Sequence, residues 1–277
     1  MPASSDRTTE HAGRPWRPAA LIRGSIALHV VAGAALIARP QLWPWALTAL
    51  VADHLALTAA GLWPRGSLLG PNLTRLPPGA VARGEVAITI DDGPDPEVTP
   101  AVLAVLASHG ACASFFCVGE RVARFPQLAR TIVAQGHSLE NHSQRHLHGF
   151  SLLGPRRMRA EIVGAQESIA AATGEAPRFF RAPAGLRNPF LEPQLARAGL
   201  ELVSWTRRGF DTVSESPQRV LARLTRALGA GDILLLHDGH AARSRQGAPV
   251  ILEVLPPLLA AVRAAGLKPV TLRAACT

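Results

Sequence analysis

Ile88-Thr89-Ile90-Asp91-Asp92-Gly93-Pro94-Asp95-Pro96 is an apolar, β-branched run that stops at two adjacent acids and a Gly-Pro turn. β-branched residues favour strands, and Gly and Pro punctuate them, so residues 85–90 are read as a strand. Consecutive strand residues point to opposite sides. Two acids at the end of a strand can therefore take different tasks around one small centre, one holding a metal and the other moving a proton.

Downstream, apolar runs at 112–118, 136–140, 178–181, 200–205, 232–236 and 268–272 read as further strands. Helical patterns fall between them at about 99–109, 126–135, 155–173, 191–198, 216–229 and 249–265. Thr99 before Pro100 and Ser216 before Pro217 read as helix N-caps followed by proline in the first turn, and Gly110, Gly136, Gly174, Gly199 and Gly266 read as stops. Strand alternating with helix implies an α/β fold with a parallel sheet, open or closed into a barrel. Asp91, Asp92, His142, Arg181, Asp211 and His237 then all lie at or just past the carboxyl end of a strand, the face that carries the active site in such barrels.

His142-Ser143-Gln144-Arg145-His146 sets two imidazoles four residues apart. On a helical turn both would project from one face and grip one ion. Alone the spacing is weak, because two surface histidines look the same. A carboxylate from the Asp91-Asp92 pair as third ligand completes a two-histidine, one-carboxylate set with an open position, a recurrent catalytic metal site.

The 277 residues suit one enzyme-sized domain plus an appendage, and the net charge is +9. Almost every basic residue is Arg, scattered through an Ala- and Leu-rich chain, and Lys268 is the only Lys. No aromatic-interleaved basic run suggests stacked bases, so no nucleic-acid partner is expected. Cys112, Cys117 and Cys276 include no C-x-x-C pair and read as apolar thiols.

The appendage is N-terminal: a polar tail over 1–18, two apolar stretches within 19–63 broken at Arg39-Pro40, and a Gly/Pro/Leu-rich linker over 64–84. Each apolar stretch is about long enough to span a bilayer, and Trp43, Trp45 and Trp63 sit near the ends of the second. A transmembrane helical hairpin is expected, retained as an anchor in a bacterial-type inner membrane. In it Asp53 would shelter against His29 or His54, since a lone mid-membrane Asp costs about 2.5–3.5 kcal/mol. A pair of apolar helices packed on the membrane surface or on the catalytic domain is the alternative. Arg7, Arg14 and Arg17 precede the hairpin, Arg65, Arg75 and Arg83 follow it, and only Arg39 lies between. The positive-inside rule then puts both ends, and the catalytic domain, on the cytoplasmic side.

Thr89-Ile90-Asp91-Asp92-Gly93-Pro94, His142-Ser143-x-x-His146, Arg181-Ala182-Pro183-Ala184-Gly185 and Leu235-Leu236-His237-Asp238, in that order over about residues 85–273, resemble the motifs of the polysaccharide deacetylase family. This is the NodB-homology group, also called carbohydrate esterase family 4. The resemblance implies a distorted (β/α) barrel of the NodB type over 85–277, preceded here by the pair of apolar helices. It implies metal-dependent removal of N-acyl or O-acyl groups from sugars; the expected reaction takes an acetyl or formyl group from the nitrogen of an amino-sugar polysaccharide or glycolipid, a lipid-linked sugar being favoured by a cytoplasmic catalytic domain. A silent sugar-binding protein of the same fold and an O-acetyl esterase are the alternatives; a peptidase is disfavoured because no H-E-x-x-H helix occurs.

Carried over by position, the resemblance makes Asp92, His142 and His146 the ligands of one divalent ion, Zn2+ by preference with Co2+, Ni2+ or Mn2+ also suited. It makes Asp91 the base toward water activated by that ion, and His237 the acid toward the leaving amine. Arg181 would keep Asp91 ionised and Asp211 would hold His237 protonated. Leu235 would line the acyl-methyl pocket, although a core leucine would look no different. Ala184 stands where the family commonly has an aromatic, leaving only its backbone N–H for an oxyanion hole. Thr212 stands where Trp is common, and Trp205 or Phe210 could supply the missing sugar-facing wall.

Overall fold

The computed structural model describes residues 13–277, so most of the polar tail expected over 1–18, Arg7 included, lies outside the described residues. Strand β1 (Glu85–Asp91) is buried over all seven residues. Burial on both faces explains why its sequence is a near-continuous apolar run. Val86, Ile88 and Ile90 join a helix-side cluster with Val102, Leu106 and Leu255, while Ala87 joins Phe116, Phe179 and Ile233 on the other face.

Seven more strands follow: β2 (Ser114–Cys117), β3 (Ser138–Asn141), β4 (Phe179–Phe180), β5 (Glu201–Leu202), β6 (Arg207–Arg208), β7 (Ile233–His237) and β8 (Lys268–Val270). They form one parallel sheet in the order β5-β4-β3-β2-β1-β7-β6, with β8 also paired to β1. The sheet curls as a distorted barrel, and β5 and β6 do not pair with each other. Parallel register sets Asp91 opposite both Phe116 and His237, so the motif residues collect at one end.

The helices sit close to their expected places. Pro155–Thr173 begins on proline and ends at Gly174 with φ 78, a left-handed cap that glycine takes without a Cβ clash. Ser216 caps its helix by accepting the Arg219 N–H. Thr99 does not cap: it lies inside the helix Thr99–Ser108, and its hydroxyl is 2.5 Å from Asp238. The two-residue strand Arg207–Arg208 and the helices Gly119–Arg124 and Leu272–Ala275 were not expected.

At the N-terminus, helices Ala20–Ala38 and Trp43–Gly61 form an antiparallel hairpin around the turn Pro40–Leu42. Of the described residues, only Ala20–Ala38 forms a helix long and apolar enough to cross a membrane by length and composition. Asp53 is sheltered chiefly by Ser25, whose hydroxyl donates to it at 2.7 Å; His29 and His54 stand 4.0 and 3.9 Å away. Both imidazoles instead give Nδ1 to carbonyls of their own helices, Ser25 and Leu50.

Residues 64–84 are docked, not a free tether. Leu73 donates its N–H to the Leu202 carbonyl and accepts from the Ser204 N–H. Leu76 and Ala80, on either side of the start of a short helix Pro78–Ala82, are buried in the same cluster as Ala87 and Phe116. A Gly/Pro/Leu composition suits a linker, but apolar Leu73 and Leu76 find the open side of the curled sheet to cover.

Candidate active site

Asp91 ends β1, and its Oδ1 accepts from Arg181 Nη1 at 2.6 Å, with both side chains buried. The same guanidinium donates to the Thr89 hydroxyl at 2.8 Å and the Ser204 carbonyl at 2.8 Å, and lies 4.1 Å from the centre of the Phe116 ring. A buried guanidinium with this many acceptors is held in one position, so Asp91 has a fixed counter-charge. Arg181 itself follows β4, its N–H bound to the Asn141 carbonyl at the end of β3.

Asp92 turns away from Asp91 because its φ is 75, a left-handed value that Asp tolerates better than most residues. Its Oδ1 lies 3.2 Å from His142 Nε2 and 3.2 Å from His146 Nε2, and no hydrogen bond reaches that buried oxygen. His142 gives its Nδ1–H to the Arg181 carbonyl at 2.8 Å, so in the neutral ring Nε2 presents a lone pair to the carboxylate. Two imidazole nitrogens and one carboxylate oxygen facing one another are a donor set that fits a divalent cation. Burial pushes the Asp92 carboxyl up, but His142 and His240 outweigh it and hold the group well below the usual carboxylate range. His146 titrates near 4, lowered by burial and by its neighbour His142.

The His142–His146 segment is not helical, which corrects the expected helical turn. It is a loop in which Ser143 and His146 have φ 65 and 51. Asn141 accepts the Ser143 N–H at 2.9 Å, and the Ser143 hydroxyl accepts the His146 N–H at 3.1 Å. Arg145 anchors the far side to Glu161. The histidines converge through these polar side chains instead of through helical periodicity.

His237 ends β7 beside Asp91. Asp211, past β6, takes its backbone N–H at 2.7 Å and its Nδ1 at 2.9 Å. Burial lowers the His237 pKa, and the hydrogen bond and charge of Asp211 overcome it, leaving the imidazole above its ordinary value.

Asp91, Asp92, His142, His146 and His237 line one cleft of about 420 Å³ together with Ala184, Gly185, Trp205, Arg208, Thr212 and Leu235, while Arg181 and Asp211 stand behind it. Leu235 and Trp205 are nearly buried, and Ala184 is exposed with φ 54. Phe210 lies outside that lining, stacked beside Arg208.

His240 escaped sequence reasoning, and Asp238 was read there only as part of a motif, with no role. His240 brings Nδ1 to 3.0 Å from Asp92 Oδ2; its signal was its place three residues past His237. Gly239 makes the approach possible, since a Cβ there would lie 2.4 Å from the Asp92 carbonyl oxygen. Asp238 is buried under Gly93, bound to Thr99, and titrates near 7 because burial, aided by the charges of Asp92 and Asp95, raises it.

The polysaccharide deacetylase family profile matches residues 79–203. A chitooligosaccharide deacetylase of Bradyrhizobium sp. is 38% identical over 156 residues, 56% of this chain and 71% of that protein. A peptidoglycan-N-acetylglucosamine deacetylase of Bacillus cereus is 34% identical over 175 residues, 62% of this chain and 81% of that protein. Among solved structures, a family 4 carbohydrate esterase from Streptomyces lividans in complex with acetate superposes with a TM-score of 0.61 at 33% identity, over 67% of this chain and 91% of that chain.

Proposed function

The chain belongs to the polysaccharide deacetylase family, and from that premise we propose that it is a metal-dependent hydrolase removing N-acetyl or N-formyl groups from an amino-sugar substrate. The observation that carries this reading is the placement, in one cleft, of the Asp92/His142/His146 donor set between an Asp91–Arg181 pair and a His237–Asp211 pair.

Asp92, His142 and His146 would hold the ion, with Zn2+ suited to two nitrogens and one carboxylate. When bound there, a divalent ion lowers the pKa of water and polarises the acyl oxygen. Asp91 takes a proton from the attacking water through the oxygen that Arg181 leaves available, Oδ2, which already faces the ligand set 3.9 Å from His142 Nε2. His237 stands on the strand next to Asp91 with Nδ1 bound to Asp211, so Nε2 carries the proton given to the leaving amine; an amine anion is too poor a leaving group to depart unprotonated. Ala184 offers a backbone N–H toward the developing oxyanion, a role that needs no side chain. Leu235 forms an apolar floor for the acyl methyl, and Trp205 a wall for the sugar ring.

The hairpin would anchor the enzyme in a membrane, with the catalytic unit on the cytoplasmic side as the flanking arginines favour. The test is release of free amine from an N-acetylglucosamine oligomer by the full chain, its loss with EDTA and its return with Zn2+. Full turnover by an Asp92→Ala variant, or by metal-free protein, would overturn the reading.

A further inference from the structure

Ala184 and Gly185 both take left-handed backbone, φ 54 and 74, in the turn Pro183–Gly185 on the wall of the cleft. Glycine reaches that region freely and alanine does not. Such a conformation persists only where the surroundings over-determine it. Ala184 is exposed, and a single methyl group is a poor anchor. The turn's own hydrogen bonds, Gly185 N–H to the Ala182 carbonyl at 2.8 Å and Leu186 N–H to the Pro183 carbonyl at 3.2 Å, close it on itself without fixing where it stands.

The outside support comes from the foot of the hairpin. Gly61, the last residue of the second helix, accepts the Arg187 N–H at 3.2 Å, and a Cβ on Gly61 would run into the Arg187 carbonyl oxygen. The Gly66 carbonyl accepts from the Arg187 guanidinium. Between these two points Pro64 packs on Gly185, where a Cβ would lie 2.8 Å from the Pro64 ring and 2.6 Å from Trp205. The Pro64 carbonyl takes the Ser204 hydroxyl at 2.6 Å. Asn72 braces the segment, donating to the Pro64 and Gly66 carbonyls at 3.0 and 2.9 Å.

Arg187 is 5% exposed and its Nε is buried without a hydrogen-bond partner. Burying a cation is costly, and what this one obtains is a fixed distance between two loops. The polysaccharide deacetylase profile begins at residue 79, so the support for the turn comes from chain that precedes the family match.

We propose that residues 61–66, the foot of the hairpin, position the turn Pro183–Gly185 through Arg187, so that the N-terminal helices belong to the working active site as well as to the anchor. Arg187 is a positioning residue: it does not line the cleft and acts through Gly185 on the Ala184 N–H. This rests on the N-deacylase reading, in which that N–H meets the developing oxyanion. A donor aimed at charge that appears only in the transition state affects kcat and leaves substrate binding alone.

The full chain in detergent micelles, loaded with Zn2+, is assayed for free amine from an N-acetylglucosamine oligomer, with bound Zn2+ and urea unfolding measured on the same samples. Arg187→Met is expected to lower kcat per bound Zn2+ by roughly ten-fold or more with KM within about two-fold of wild type. Arg187→Lys keeps a donor for Gly66 and restores part of the loss. Gly61→Ala, whose methyl group pushes on the Arg187 carbonyl, lowers kcat in the same way from the hairpin side, and decides the matter alone if Arg187→Met does not fold. Each loss in kcat is matched by a loss of affinity for a phosphonamidate analogue of the N-acetyl group, whose tetrahedral oxygens stand where the oxyanion develops. Wild-type kcat in the folded variants overturns the proposal, as does a lower urea midpoint with unchanged kcat per bound Zn2+, or a loss carried by KM alone. Those results leave the deacylase reading standing, whereas no amine from the Zn2+-loaded wild type overturns both.

Discussion

Asp211 holds His237 at two points, one oxygen on the backbone N–H at 2.7 Å and the other on ring Nδ1 at 2.9 Å. One acid thus sets the ring's orientation, its tautomer and its charge.

An Asp211→Asn variant should lose roughly 10²-fold in kcat. The proposed role of His237 as general acid requires its protonated form, so activity is expected to fall as pH rises through the His237 pKa. Asp211 raises that pKa against the effect of burial, and its removal should move the alkaline limb of the kcat profile to lower pH. A limb that stays in place in the variant would show that His237 is not the titrating acid.

Removing Arg181 leaves the Asp91 carboxylate buried and unpaired. Arg181→Met should cost about 3–5 kcal/mol in urea unfolding, the cost of stranding a buried charge, together with at least a hundred-fold in kcat. Unchanged stability would mean that Asp91 finds another partner or is hydrated.

His240 touches Asp92 from outside the proposed ligand set and is half-exposed. His240→Ala should weaken Zn2+ binding by roughly ten-fold, as loss of a partner behind a ligand does, while the fold is kept. Competition with a chromophoric chelator reads this directly; affinity equal to wild type would assign His240 to substrate or solvent instead.

Leu76 is 3% exposed and packs with Ala87 and Phe116. Leu76→Ala should destabilise the catalytic unit by about 2–5 kcal/mol with little change in activity per folded molecule. A loss below about 0.5 kcal/mol in denaturant unfolding would return 64–84 to the status of a tether.

The strands and the ends that carry chemistry were legible because β1 and β7 are buried on both faces, which forces apolar runs, and because the reactive residues break those runs abruptly. Asp91 and His237 announce themselves as charges where an apolar strand ends. Two-residue β6 has no run to read; Arg207 and Arg208 pair with β7 only because the curled sheet brings them there. The His142–His146 loop misled for a related reason. A spacing of four signals a helix in isolation, yet Asn141 and Ser143 compete for the backbone and select left-handed turns. His240 depends on Gly239 fitting against Asp92, a contact between chain segments almost 150 residues apart that no local pattern encodes.

Arg181 serves the cleft through two separate parts of itself. Its carbonyl holds His142 by Nδ1 and its guanidinium holds Asp91, while its own N–H is fastened to β3. The gap between His142 and Asp91, the proposed ligand and the proposed base, is therefore set like the spacing of two holes drilled in one plate. If the end of β4 shifts, both move together and their separation survives, so thermal motion of the barrel rim reaches the centre as a common displacement that leaves its internal dimensions intact.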